Sequence, residues 1–252
     1  MFFVIRKKSL VLGVSAILII CLIAVVIAND NVVTAFSSHK ELPIYEVETE
    51  KNVVALSFDA AWGADKTREI MNILEKHGVK GNFFLVGFWI DEYPDLVKEI
   101  ATRGHLIGNH SENHKHMNNL SKSDKNKEIY SVNEKIKNLT GITPTYFRAP
   151  YGEYDNALIK EVSALNMQAI QWNIDSLDWK GLSGGEIATR IINRVKNGSI
   201  ILCHNNSDHI LEALPLILTA LENKNLKAVR LDEFVYQDNY TIDHTGKQIK
   251  SI

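Results

Sequence analysis

The sequence predicts an α/β protein whose main domain is a closed or nearly closed barrel of about seven parallel strands, preceded by one transmembrane helix. Two observations lead to this prediction. Short apolar runs alternate with amphipathic stretches through residues 51–236, as in parallel sheets covered by helices. Ahead of them, residues 9–28 contain no charge. With 252 residues, 45% of them hydrophobic, the chain can bury one sizeable core.

The first 28 residues have the pattern of a signal-anchor. Arg6, Lys7 and Lys8 precede the uncharged run. A helix of about 20 apolar residues spans a bilayer, whereas the core of a signal peptide usually has about 7–15. The basic cluster predicts a cytoplasmic N-terminus and an extracytoplasmic domain on a single-pass membrane protein. Val26 and Ala28 could also form a cleavage site, and the domain would then be secreted.

The remaining chain divides into three parts. Residues 29–50 are a polar linker, residues 51–236 are the barrel domain, and residues 237–252 are a polar tail that we expect to be loosely held. Strands are predicted at 53–58, 80–86, 105–108, 145–148, 167–172, 199–203 and 226–230. Helices are predicted at 65–77, 94–103, 122–139, 155–165, 185–197 and 208–224.

Composition excludes several classes of protein. The formal net charge of −2 is incompatible with a broad polybasic surface, so nucleic acid is not expected as the main partner. A phosphate-binding barrel is not expected either, because no glycine-rich loop carries a Walker-type lysine. The two cysteines, Cys21 and Cys203, are expected to lie in different environments and to form no disulfide.

Unusual polar side chains follow five of the predicted strands. In a parallel barrel the active site lies at the C-terminal ends of the strands. We therefore expect these side chains to converge on one mouth. They are Asp59, the pair His110 and His114, Arg148, the pair Asp175 and Asp178, and His204.

The two histidines of HSENH are four residues apart. On a helical face this spacing suits two ligands of one zinc-like ion, although solvated or packed histidines also occur at this spacing. A zinc protease would have glutamate directly after His110, and Ser111 stands there instead. That class of enzyme is therefore excluded.

The other strand-end residues also allow two interpretations each. Arg148 could clamp a carboxylate in a site or form a structural salt bridge. One carboxylate of Asp175 and Asp178 could orient a histidine or cap a turn. His204 could be a structural histidine, or a general acid if a carboxylate supports it.

Five motifs in this order resemble those of the polysaccharide deacetylases of carbohydrate esterase family four, the NodB-homology group. The motifs are SFDAAWG, HSENH, RAPYG, DSLDW and LCH, and the resemblance covers about residues 51–235. It implies a distorted (β/α) barrel and a metal-dependent N-deacetylase of N-acetylated amino sugars in cell-wall or spore-wall glycan. The anchor, the linker and the variant first motif are most similar to the sporulation-associated deacetylases of the PdaB type.

The resemblance also implies roles for single residues. Asp59 matches the general base, and Arg148 matches the residue that holds this base. His204 matches the general acid that protonates the leaving amine, and Asp178 matches the carboxylate that orients its ring.

Further positions match the family's metal and substrate sites. His110 and His114 match two ligands of a divalent metal ion, for which zinc is expected and cobalt or manganese are alternatives. The backbone N–H of Tyr151 matches part of the oxyanion hole. Trp179 and Leu202 match the apolar pocket for the acetyl methyl group.

The first motif departs from the family pattern at Ala60, where a second aspartate usually supplies a third metal ligand. Metal affinity should fall, while an ion that remains bound should be a stronger Lewis acid. Asp59 could itself ligate the ion and leave no free base, whereas Asp65 is expected to cap the next helix. Two hypotheses follow: a working deacetylase, and a membrane-anchored glycan-binding or scaffolding protein that has lost turnover.

Overall fold

The computed structural model describes residues 17–21, 24 and 40–251. The chain divides into two compact units, residues 1–40 and residues 41–252. In the first unit, residues 17–21, 24 and 40 are described, and all of them except residue 40 are helical. No helix among the described residues has the length and apolar character needed to cross a bilayer. Most of the predicted transmembrane segment, residues 9–28, lies outside the described residues.

The second unit alternates strands with helices. Strands β1 to β11 are Glu46–Val47, Val53–Ala60, Asn82–Leu85, Leu106–Asn109, Tyr146–Phe147, Gln168–Ala169, Ile174–Asp175, Ile200–His204, Lys227–Ala228, Tyr240–Ile242 and Lys247–Lys250. Helices α1 to α7 are Thr67–Lys76, Gly87–Glu92, Pro94–Thr102, Lys122–Thr140, Asn156–Ala164, Gly184–Ile192 and Ile210–Asn223.

The main sheet has the strand order β6-β5-β4-β3-β2-β8-β7, and β9 pairs with the start of β2. All neighbouring strands in it are parallel. The predicted α/β fold with about seven parallel strands is therefore confirmed, as a half-barrel. Within the part of the chain described, no backbone pairing joins β6 to β7, so the barrel is open on that side.

Strand β2 is buried on both faces, as expected for a central parallel strand. Its side chains alternate between two apolar clusters. Leu56, Phe58 and Ala60 belong to the cluster that includes side chains of the helices. Ala55 belongs to a second cluster formed with other strands of the barrel. Because side chains alternate along a strand, Asp59 shares the inner face with Ala55, and Ala60 faces the helices.

Both ends of the second unit are more ordered than the sequence suggests. The predicted linker ends in β1, and the predicted loose tail forms the antiparallel pair β10 and β11. Strand β1 pairs with β11 in parallel, which gives a separate three-stranded sheet. Isolated bridges connect Ile44 to Ile170 and Glu46 to Ser199, so this sheet lies along the open side of the barrel. The expectation of a loosely held tail is therefore wrong.

All six predicted helices are present with shifted ends, and α6 ends at Ile192, five residues earlier than expected. The structure adds the short helix α2 and the strand β7, which the sequence pattern did not indicate. Helix α1 begins at Thr67, with Lys66 at its N-cap and no side-chain cap. Asp65 is therefore not the predicted cap.

Candidate active site

A cleft of about 610 Å³ opens at the C-terminal ends of the strands. Eight of the nine predicted site residues line it: Asp59, His110, His114, Tyr151, Asp178, Trp179, Leu202 and His204. Arg148, the ninth, is 0% exposed and lies behind Asp59. The expected convergence of strand ends on one mouth is thus present.

Strand register brings the two central residues together. In the parallel pairing of β2 with β8, Asp59 is the register partner of His204. On the other side of β2, Asp59 pairs with Phe84 of β3. Side chains at paired positions of parallel strands lie on the same face of the sheet. Asp59 and His204 therefore enter the cleft side by side.

Asp59 is held as a buried anion. Its Oδ1 accepts a 2.7 Å hydrogen bond from Nη1 of Arg148. Burial alone would raise the pKa of Asp59, but the charge of Arg148, with smaller contributions from His110 and His204, holds this pKa below its ordinary value. The carboxylate is therefore ionised at neutral pH.

Arg148 is itself fixed by the barrel interior. Its Nη2 donates to the backbone carbonyl of Gln171 at 3.2 Å. The guanidinium carbon lies 4.1 Å from the centre of the Phe84 ring and 5.5 Å from that of Trp172. These contacts leave the guanidinium little freedom, so its position defines that of the Asp59 carboxylate.

His110 presents an unprotonated nitrogen to the same carboxylate. Its Nδ1 donates to the backbone carbonyl of Arg148 at 2.8 Å, since a carbonyl only accepts. Burial lowers the pKa of His110 against the opposing effect of Asp59, so the ring is neutral and Nε2 carries a lone pair. This Nε2 lies 3.4 Å from Oδ2 of Asp59. Two acceptor atoms thus face each other, an arrangement that a cation would complete.

His114 reaches the site from a loop, not from a helix. Ser111 and His114 have positive φ angles of 68° and 50°, which turn the chain sharply after β4. Asn109 Oδ1 accepts from the backbone N–H of Ser111, and Ser111 Oγ accepts from that of His114. The imidazole rings of His110 and His114 have centroids 5.0 Å apart. The predicted helical face is therefore wrong, although the two rings do meet.

The histidine pair suits part of a metal site. Burial and the neighbouring His110 lower the pKa of His114 to about 4, so this ring is neutral too, as ligation requires. Its Nδ1 is buried and has no hydrogen-bond partner. Among the described residues, however, no group of three or more His, Cys, Asp or Glu side chains is arranged to hold an ion. Ala60 is fully buried and is not part of the cleft lining. The two imidazoles therefore suit a divalent ion, with the Asp59 carboxylate beside His110 and no ligand from Ala60.

His204, next to Asp59 on β8, has a carboxylate partner of its own. Its Nδ1 donates to Oδ1 of Asp178 at 2.7 Å, and its backbone N–H donates to Oδ2 at 2.8 Å. Burial would lower the pKa of His204, but the hydrogen bond and the charge of Asp178 raise it above its ordinary value. The ring thus tends to keep its proton, with Nε2 left for the cleft.

The loop that carries Asp178 is held by several hydrogen bonds. Leu177 has a φ of 54°, and its backbone N–H donates to Oδ1 of Asp175 at 2.8 Å. Ser207 Oγ donates to the backbone carbonyl of Asp178, and Ser176 Oγ accepts from its backbone N–H. The sequence left open whether these carboxylates orient a histidine or cap a turn. In the structure Asp175 caps the turn, and Asp178 orients His204.

The predicted substrate-binding residues differ in exposure. Leu202 is buried below the cleft, whereas Trp179 is 60% exposed. Tyr151 has a left-handed backbone with φ 59°, and its ring stacks on His116 with centroids 4.2 Å apart. Sequence reasoning missed Trp62, which lines the cleft and lies directly after the AA of FDAAWG. Its position just beyond a strand end was a usable signal.

Comparison with known proteins places this site in a family. A family model described as polysaccharide deacetylase matches residues 46–170. A peptidoglycan-N-acetylglucosamine deacetylase of Bacillus cereus is 34% identical over 72% of this chain and 67% of its own length. The uncharacterized protein YlxY of Bacillus subtilis is also 34% identical, and this chain spans 57% of its length.

Solved structures of similar fold include a family 4 carbohydrate esterase and a pseudoenzyme of the same family. PdaA of Bacillus subtilis, a family 4 carbohydrate esterase, has a TM-score of 0.72 at 28% identity, covering 76% of this chain and 84% of that one. A wild-type pseudoenzyme of the same family from Bacillus anthracis has a TM-score of 0.74 at 30% identity, covering 77% of this chain and 69% of that one. The chain belongs to the polysaccharide deacetylase family, whose enzymes are hydrolases acting on amide bonds.

Proposed function

We propose that this protein is a metal-dependent polysaccharide N-deacetylase that removes acetyl groups from N-acetylated amino sugars of cell-wall or spore-wall glycan. The supporting observation is the pair Asp59 and His204, which are register partners on adjacent strands. The pKa of the carboxyl is lowered and that of the imidazole is raised. Two neighbouring titratable groups in these states are suited to act as base and acid.

Asp59 acts as the general base in this proposal. It is ionised, and a hydrogen bond from Arg148 holds it in the cleft. It accepts a proton from the water that attacks the acetyl carbonyl. A divalent ion held by His110 and His114 would polarise that carbonyl and acidify the water. Zinc is the ion we favour, with cobalt or manganese as alternatives.

His204 acts as the general acid. An amine is a poor leaving group until it is protonated, and the Nε2–H of His204 is suited to supply this proton. Asp178 keeps the ring in one orientation through Nδ1. The backbone N–H of Tyr151 would stabilise the negative carbonyl oxygen, as in other oxyanion holes. Leu202 and Trp179 would enclose the acetyl methyl group.

Substrate and location follow from the relatives and from the N-terminal sequence. The named relatives include deacetylases of peptidoglycan N-acetylglucosamine and N-acetylmuramic acid, so a peptidoglycan-like glycan is the proposed substrate. Residues 9–28 would anchor the protein in the membrane with the domain outside the cytoplasm, or cleavage after Ala28 would release it. A PdaB-type role in sporulation fits this arrangement.

A second function is favoured by one feature, the residue Ala60. With two imidazoles and no third ligand among the described residues, the site could bind glycan without turnover. The protein would then be a membrane-anchored glycan-binding or scaffolding protein. A pseudoenzyme of the same family with a similar fold makes this a real alternative.

An acetate-release assay separates the two functions. The full-length protein is incubated with vegetative and spore peptidoglycan, with zinc, cobalt or manganese added in turn. We expect turnover that Asp59→Asn reduces by about 10²–10⁴, the usual contribution of a general base. Asp65→Asn, the same change at an exposed position outside the cleft, is the matched control and should stay near wild type. Absence of turnover with all three metals would favour the scaffolding protein.

A further inference from the structure

We propose that Trp62 is a stacking platform for the sugar next to the one that is deacetylated, and that it makes the protein selective for glycan chains over single sugars. This inference deepens the proposed function and rests on it. Trp62 is 63% exposed although it is one of the largest apolar side chains in the molecule. Exposed apolar surface beside a cleft commonly marks a binding site.

The exposed large apolar side chains that line the cleft are all aromatic among the described residues. Among the described residues of the second unit, six large apolar side chains are exposed: Trp62, Tyr130, Ile142, Tyr151, Trp179 and Leu216. Trp62, Tyr151 and Trp179 line the cleft. The C–H-rich face of a pyranose ring is apolar, so flat exposed aromatic rings beside the cleft offer a sugar a matching surface.

The backbone beside Trp62 is fixed before any ligand arrives. The carbonyl of the next residue, Gly63, accepts from Nε1 of Trp89 at 2.7 Å and from Nδ2 of Asn205 at 2.9 Å. Asn205 is buried, and its backbone N–H donates to the carbonyl of Asp59. The loop with Trp62 is thus tied to the strand end that carries the proposed base. Because the backbone of this loop is already held, it need not be ordered when a ligand binds, which lowers the entropy cost.

The contacts of Trp62 place it on one side of the acid–base pair. Its ring centroid lies 4.9 Å from that of His114 and 6.1 Å from that of Phe88, which follow β4 and β3. Trp179 follows β7 on the other side, since the strand order is β4-β3-β2-β8-β7. A sugar bound over Asp59 and His204 therefore has one tryptophan on each side. We assign the β3 side to a neighbouring sugar of the same chain.

The inference predicts a dependence on chain length. We compare acetate release from tetra-N-acetylchitotetraose and from N-acetylglucosamine by the full-length protein. Trp62→Ala should raise KM for the tetramer about tenfold with kcat within twofold, and should leave the monomer unchanged. Trp62→Phe keeps a ring and should recover most of the loss. Tyr130→Ala removes an equally exposed ring on α4, outside the cleft, and should match wild type.

The outcomes distinguish stacking from other roles. If Trp62→Ala impairs monomer and tetramer equally, the ring positions His114 and the inference is wrong. If it matches Tyr130→Ala, the inference is wrong while the deacetylase stands. If wild type releases no acetate, the tetramer is titrated calorimetrically, and about tenfold weaker binding by Trp62→Ala supports the platform although the deacetylase fails. If the alanine variant does not fold, tryptophan fluorescence is measured in wild type and in Trp62→Phe while the tetramer is added. The inference expects the tetramer to quench the fluorescence of wild type but not that of Trp62→Phe. Equal quenching in the two proteins overturns the inference.

Discussion

Two sides of the cleft tune their titratable groups in opposite ways. The side of strands β2 to β5, with Asp59, His110, His114 and Arg148, is the inner wall, and the side of strands β7 and β8, with Asp178 and His204, is the outer wall. On the inner wall, Asp59 and His110 are almost completely buried, and Arg148 neutralises the carboxylate directly. On the outer wall, His204 is partly open to the cleft, and its partner Asp178 is the buried member. The inner wall therefore stabilises an anion with a buried cation, and the outer wall stabilises a proton with a buried anion. The comparison suggests that stability depends mainly on the inner wall and pH dependence on the outer wall.

The largest expected effect is a loss of folding stability when the buried ion pair of the inner wall is broken. Arg148→Met would leave the Asp59 carboxylate buried without its cation. Removing one partner of a buried ion pair typically costs about 3–5 kcal/mol, and we expect a loss of this size in the free energy of unfolding, measured by urea titration. Arg68→Met breaks an ion pair with Glu99 whose arginine is exposed, and it should cost about 0–1 kcal/mol. Equal losses in the two variants would contradict the contrast between the walls.

The outer wall should determine the alkaline limit of activity. His204 must be protonated to act as acid, so activity should fall as the pH rises through its raised pKa. Asp178→Asn should lower the pH at which activity falls, that is, shift the alkaline limb of the pH profile. It should also reduce turnover about 100-fold at mildly alkaline pH. The pH profile of kcat provides the measurement, and Asp175→Asn, which removes a carboxylate that holds the turn, should shift the limb far less. An unchanged limb in Asp178→Asn would exclude His204 as the acid.

The same pair contributes to stability in one pH range. A histidine whose pKa is raised by folding stabilises the folded state fully below its ordinary pKa. This contribution is lost as the pH rises through the raised value. Asp178→Asn should therefore flatten the decline of unfolding free energy with rising pH in this window. Unfolding titrations at several pH values check this, and an unchanged slope would contradict it.

The smallest expected effect concerns metal affinity. If the inner wall holds the ion, His114→Ala should weaken zinc binding at least about tenfold, as measured by calorimetric titration of the full-length protein. His204→Ala, on the outer wall, should leave zinc affinity within about twofold. His116→Ala removes an exposed histidine that pairs with Glu153, and it serves as the matched control. Comparable weakening by His204→Ala would place the ion between the walls instead.

The sequence was most informative about reactive side chains that lie directly at the end of a strand. Asp59 and His204 were predictable because each directly follows an apolar run, and parallel strands bring such positions to one edge. The route of His114 was not predictable, since the positive φ angles of Ser111 and His114 break the helical spacing that HSENH suggests. For Ala60, the sequence predicted the missing ligand but not the direction of the side chain. Its lack of a ligand is visible in the sequence, but its burial against the helices follows from strand alternation in the fold.

The ends of the domain were poorly predicted for a different reason. Tyr240–Ile242 and Lys247–Lys250 are short and polar, so neither has the apolar run that identifies a strand. Lys247–Lys250 pairs with Glu46–Val47, about 200 residues away, and Tyr240–Ile242 pairs in turn with Lys247–Lys250. Such non-local pairing leaves no periodic pattern in the local sequence.

The pairing of β1 with β11 has a practical consequence for shortened versions of the chain. Gln248 is fully buried, and its Oε1 accepts from the backbone N–H of Tyr236 while its Nε2 donates to the carbonyl of the same residue. A chain truncated after residue 236, near the end of the family resemblance, would lose these two hydrogen bonds and expose the edge of β1. Such truncated protein would be prone to edge-to-edge aggregation, so recombinant boundaries are better drawn beyond Lys250.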